Sequence, residues 1–94
     1  MPLSFEWDEK KARTNVTKHG VRFEEAATVF ADPLSLTIPE PAHSQAEKRF
    51  VILGESHFGK LLVVVHTARA DNLRMISARQ ASRRERKNYE EGIQ

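Results

Sequence analysis

The run Leu61–Val65, LLVVV, constrains the fold more than any other stretch of the chain. Successive residues of a strand point to opposite faces, so a strand that is apolar on both parities is covered on both sides and sits centrally in its sheet. Helices must then cover at least one of those faces. At 94 residues, 39% hydrophobic and 30% charged, the chain has material for one core, which predicts a single domain over residues 1–94.

The rest of the chain supplies the cover and the neighbouring strands. Ser4–Trp7 reads as a short first strand. Asp8 follows in N-cap position and Gly20 as a stop, predicting a helix over Glu9–His19 whose narrow stripe of Ala12, Val16 and His19 lies on the sheet. Phe23, Ala26, Ala27 and Phe30 recur at helical spacing, and Asp32-Pro33 ends that second helix. Leu34, Leu36 and Ile38 alternate as in a half-buried strand that stops at Pro39 and Pro41, and residues 39–47 read as an exposed loop. Strands over Lys48–Glu55, Lys60–Ala68 and Asn72–Arg79, joined by SHFG and RAD, form an antiparallel β-meander. Ser82 and Glu85 make a capping box for a last helix over 83–91, stopped by Gly92 and anchored by Tyr89 between Ala81 and Ile93. The expected class is α+β, with two N-terminal helices and one C-terminal helix.

Charge narrows the function. Residues 1–47 carry 5 basic against 8 acidic side chains, whereas Lys60–Lys87 carries 8 basic against 2. Such a field attracts a polyanion or an acidic protein. The chain has no cysteine, which removes disulfides, thiolate metal sites and a cysteine nucleophile. The N-terminus lacks a signal-peptide pattern and no apolar run is long enough to span a bilayer, so a cytoplasmic protein without membrane contact is expected. His43 and His57 lie in loops without partners at ligand spacing, Asp8 beside Glu6 is accounted for as a cap, and His19 suits a helix end. Neither metal nor cofactor is expected. A nucleophile elbow, a glycine-rich phosphate loop and an aromatic stacking run are missing from the sequence.

The candidate chemistry lies in the meander. If SHFG pairs Glu55 with Lys60 and RAD pairs Ala68 with Asn72, then Arg49, His66 and Arg74 form a cross-strand row. Two cations beside an imidazole would oppose its protonation and hold a phosphate oxygen, as a nuclease requires; alternatively His66 is a packed sheet residue. Parity alone places Arg79 with Leu73, Met75 and Ser77, on the other side from Arg74. Arg83 and Arg84 occupy the first turn of the last helix, against the helix dipole. They read either as phosphate anchors or as a solvated face.

Four blocks, FEWDEKKARTNVTKHGVRFEEAATVFADP, KRFVILG, GKLLVVVHT and RMISARQASRRERKNYEEG, give nearly the whole chain a resemblance to the BrnT toxins of bacterial type II toxin-antitoxin systems. The resemblance implies a RelE-like microbial ribonuclease fold and metal-independent RNA cleavage that arrests translation. It also implies neutralisation by a BrnA antitoxin with a ribbon-helix-helix domain, operator DNA being bound only through the toxin-antitoxin complex. Carried onto this chain, the blocks mark Arg49 and Arg79 as catalytic, with His66 beside them. Lys48, Arg74, Arg83 and Arg84 become RNA contacts. A non-catalytic module, either a nucleic-acid binder or an antitoxin-like regulator, and a face for an acidic partner protein are the alternative functions.

Overall fold

The structure, a computed structural model, describes residues 3–40 and 48–92. Most of the expected loop at 39–47, with His43, and Ile93 fall outside them. The elements are β1 (Ser4–Glu6), α1 (Glu9–His19), α2 (Phe23–Thr28) continued by a 3₁₀ turn over Val29–Ala31, β2 (Leu36–Pro39), β3 (Phe50–Glu55), β4 (Leu61–Arg69), β5 (Asn72–Gln80) and α3 (Arg83–Glu91). They build a five-stranded sheet in the order β1-β5-β4-β3-β2. β2 to β5 are antiparallel neighbours, while β1 lies parallel to β5 at the edge.

The doubly apolar β4 is central, as its composition requires. Leu62 and Val64 face α1 and α2, where Val21, Phe23, Ala26, Val29, Ile52, Met75 and Ala78 close the core. Phe23 is fully buried, and burying its ring stabilises the fold by about 3 kcal/mol. Leu61 and Val63 point to the opposite face and are also buried. Gly54 marks where α2 and its 3₁₀ turn approach β3 most closely. A β-carbon there would stand 2.8 Å from Val29 Cγ1 and 3.0 Å from Ser35 Cβ.

α1 docks differently from its apolar stripe. Val16 and His19 are exposed, and the buried residue is Asn15. β1 pairs with Asn72–Arg74, and among the described residues the rest of the β5 edge has no strand partner. The Asn15 carboxamide substitutes for one at Ala78, donating to its carbonyl at 2.8 Å and accepting from its N–H at 3.0 Å, with a further bond to the Val21 carbonyl at 2.9 Å. Leaving that buried backbone unpaired would cost about 1–3 kcal/mol.

Both expected hairpin registers slip by one residue. Ser56 enters the β3–β4 ladder, its N–H donating to the Lys60 carbonyl, so the loop is His57–Gly59 and Glu55 pairs with Leu61. Gly59 (φ +80°) takes the left-handed position that this three-residue loop needs. At the other hairpin Arg69 pairs with Asn72, leaving a two-residue loop in which Ala70 adopts φ 54°. The expected strand from Leu34 begins instead at Leu36, because the Asp32 carboxylate accepts from the Leu34 N–H and holds the chain in a turn. It also runs through Pro39. Glu40 N–H donates to the Arg49 carbonyl, so by alternation the position of Pro39's missing N–H faces the open edge, where nothing is lost.

Candidate active site on the open face of the sheet

The register slips redistribute the candidate residues. Phe50, not Arg49, lies opposite His66, and Met75, not Arg74, lies on its other side. The Arg49–His66–Arg74 row is therefore corrected. One step further along, the Thr67 hydroxyl donates to the Lys48 carbonyl and Thr67 pairs with Arg74, so Arg49 and Arg74 flank Thr67 on the face away from α2. A β-bulge in β5 then overturns parity. The pairing shifts between Val65 and His66, Ile76 becomes the extra residue, and Arg74 comes onto the same face as Arg79, which pairs with Val63.

His66 sits on the core face, 5% exposed, with its ring against Phe30 at 4.8 Å and Phe50 at 6.0 Å between centroids. Burial pushes its pKa below the usual imidazole value, opposed only by Nδ1 lying 3.4 Å from the Val64 carbonyl. The low basicity expected from flanking cations thus has another origin. Nothing in this position lets the ring reach a ligand on the opposite face.

The open face carries cations at two ends. At the β1 end stand Arg49 and Arg74; Lys48, two residues before β3, is exposed. Arg74 Nη1 donates to Glu6 Oε2 at 3.0 Å, and Asn72 Nδ2 holds the other carboxylate oxygen at 2.9 Å. These two hydrogen bonds, Asn72's the larger in effect, lower the Glu6 pKa. At the α3 end Arg79 makes a two-bond fork with Glu85, Nη1 to Oε1 and Nη2 to Oε2 both at 2.8 Å, and Nη1 also donates to the Gln80 carbonyl at 3.2 Å. The Nε and Nη2 edge of the guanidinium keeps two donors uncommitted, the geometry that matches a phosphate. The fork, with help from the Ser82 N–H, brings the Glu85 pKa to about 2, so Glu85 is a carboxylate here and a poor proton acceptor. From Val63 to Thr67 the strand spans ~13 Å, so the two ends cannot grip one phosphate together.

α3 lies across the Arg79 end. Ser82 and Glu85 form the expected capping box, and Arg83 and Arg84 are exposed in its first turn. Its far end is tied down by Tyr89, whose hydroxyl donates to Asp32 Oδ2 at 2.6 Å, an oxygen that also accepts from the Glu55 N–H at 2.8 Å. Burial alone would raise the Asp32 pKa, but these donors together with the Leu34 N–H outweigh it and the net shift is downward. The same bond pushes Tyr89 up to about 12. Beneath α3 a cleft of about 380 Å³ has an apolar floor of Leu36, Ile38, Val51, Leu53 and Val63, with Glu85 and Asn88 as its wall.

Sequence reading missed the cations of α1. Lys10, Lys11 and Lys18, with the His19 ring beside them, line a second cleft of about 280 Å³ against Ile76 and Ser77 of β5. The net negative charge of the N-terminal half concealed them, although their recurrence on one helical face was readable. Among the described residues no group of three or more His, Asp or Glu side chains could hold a metal ion.

An α+β chain with a five-stranded sheet, three helices and an arginine forked to a carboxylate on its open face is similar in fold to a known ribonuclease toxin. The crystal structure of the Brucella abortus ribonuclease toxin, BrnT, superposes with a TM-score of 0.64 at 26% identity, covering 87% of this chain and 100% of that one. Residues 7–85 match the family described as the ribonuclease toxin, BrnT, of type II toxin-antitoxin systems, and the chain belongs to that family. No curated protein matches the sequence.

Proposed function

We propose that the chain is a metal-independent endoribonuclease of the RelE-like kind, acting in the cytoplasm, whose cleavage of RNA inhibits translation and growth. The observation that carries this reading is Arg79, held by Glu85 at the α3 end of the open face with one guanidinium edge free. In the reaction the ribose 2′-oxygen attacks the adjacent phosphorus, the bond to the 5′-oxygen breaks, and the 2′-OH proton is balanced by the proton gained by the leaving oxygen. Arg79 neutralises the charge that builds on the phosphoryl oxygens, the largest single contribution in such sites. Arg83 and Arg84 hold a neighbouring phosphate, while Lys48, Arg49 and Arg74 receive the strand at the β1 end. His66 contributes packing in this reading, and proton transfer does not run through it.

The apolar floor beneath α3 suits a protein segment better than a ribose-phosphate chain. It is the surface assigned to the antitoxin, a BrnA-like ribbon-helix-helix protein through which operator DNA would be contacted. A binder without catalysis would use the same cations. The deciding experiment incubates purified protein with an RNA oligonucleotide and its all-deoxy counterpart in EDTA. RNA should be cut and DNA left whole; binding of both without cleavage establishes the non-catalytic alternative.

A further inference from the structure

Along the open edge of β5, the charged groups of α1 are arranged in a way that stability does not require. Lys10, Lys11, Thr14 and Lys18 share one helical face, which Asn15 fixes against β5 through its bonds to Ala78. With His19 they line a cleft that contains no carboxylate. Among the described residues, neither these lysines nor His19 lie within ion-pair distance of a carboxylate, although Lys11 is attracted to the capping Asp8, in contrast to Arg74 and Arg79, which are tied to Glu6 and Glu85. Lys10 and Lys11 also stand in the first turn of the helix, where the dipole disfavours positive charge. Lysines gathered on one face repel one another, and a phosphate removes that cost. A cleft on the other side of α1 shows the opposite composition: Arg13 and Arg22 there face Glu9 and Glu24.

The location gives the cleft a use. Its floor includes Ser77, which lies on β5 two residues from Arg79, ~7 Å along the strand. Between them the backbone edge at Ala78 is closed by Asn15, so a chain passing from one to the other runs over the open face, where Ser77 and Arg79 both point. We propose that the α1–β5 cleft is a phosphate-binding subsite in which Lys10, Lys11 and Lys18 hold the backbone of an RNA strand one or more nucleotides away from the phosphate at Arg79. This inference rests on the ribonuclease reading for its substrate but not for its test. Cations that grip phosphates carry no sequence information; they fix where the strand lies and raise affinity, so removing them should act on binding and leave the chemical step alone.

The test measures binding of a 2′-O-methyl RNA oligonucleotide, which cannot undergo 2′-OH attack, across a salt series. The variant is the triple substitution Lys10→Gln, Lys11→Gln, Lys18→Gln, since glutamine keeps helix propensity and circular dichroism can confirm the fold. Affinity should fall at least about tenfold, and the slope of log Kd against log salt should drop by about 2, near 0.7 for each phosphate deprived of its lysine. Single-turnover cleavage of the corresponding ribo-oligonucleotide at saturating protein should stay within about twofold of wild type. A control with Arg13→Gln and Arg22→Gln should bind within about twofold of wild type, because those cations lie on the other side of α1, in a cleft whose lining they share with Glu9 and Glu24. Unchanged binding in the triple variant, or an equal weakening in the control, overturns the subsite. Lysine-dependent binding by a protein that cuts no RNA supports the subsite and overturns the nuclease reading instead.

Discussion

At the scale of single residues, His66 and Asn15 show what residue type alone conceals. A histidine in a strand between arginine-bearing neighbours reads equally well as a proton carrier or as a packed ring, and only register separates the two. His66 lies between Phe30 and Phe50 with its pKa lowered by burial. The unfolded chain therefore binds more protons than the folded one just below the usual imidazole value of about 6.5, so this residue's contribution to stability falls as pH drops through that value. Thermal unfolding from pH 7.5 to 5.5 should show that decline in wild type, and His66→Phe, which keeps a ring in the pocket, should flatten it. An equally steep fall in the variant would mean that His66 is not the group responsible. Asn15 left a faint signal, a poor helix former in the middle of α1, but its bonds to Ala78 depend on the shortness of β1, which no local pattern reveals.

Elements were legible where the signal is local. The caps at Asp8 and Ser82, the helical spacing from Phe23 to Phe30, and the double-faced run of β4 all sit where their residues direct. Pairing was not, because register depends on which residues the turns consume. Ser56 joined the β3–β4 ladder once its hydroxyl could bond Glu25 at 2.7 Å, and the β4–β5 turn took Ala70 into a conformation that L-residues disfavour. That second choice can be measured: Ala70→Gly should stabilise the protein by about 1 kcal/mol, read from the denaturation midpoint at constant slope. A destabilised variant would show that Ala70 is not strained there. The bulge at Ile76 had no sequence mark, yet it turns Arg74 and Arg79 onto one face and so decides whether a joint nucleic-acid surface exists.

Across the whole molecule, the cations singled out above fall into three separate groups. Arg49 and Arg74 stand at one end of the open face and Arg79, with Arg83 and Arg84, at the other. The lysines of α1 flank the β5 edge between them. Charge counting found the stretch from Lys60 to Lys87, and it overlooked α1 because acids outnumber bases in that half of the chain. Arg79 is the residue on which catalysis is placed, and His66 the residue from which it has been removed. Single-turnover cleavage of one RNA oligonucleotide in EDTA, compared among wild type, Arg79→Ala and His66→Phe, tests that assignment most directly. Arg79→Ala should slow cleavage at least about tenfold, of order 1.4 kcal/mol in the barrier, with His66→Phe within about threefold of wild type. Full activity in Arg79→Ala, or a collapse of activity confined to a folded His66→Phe, would contradict it.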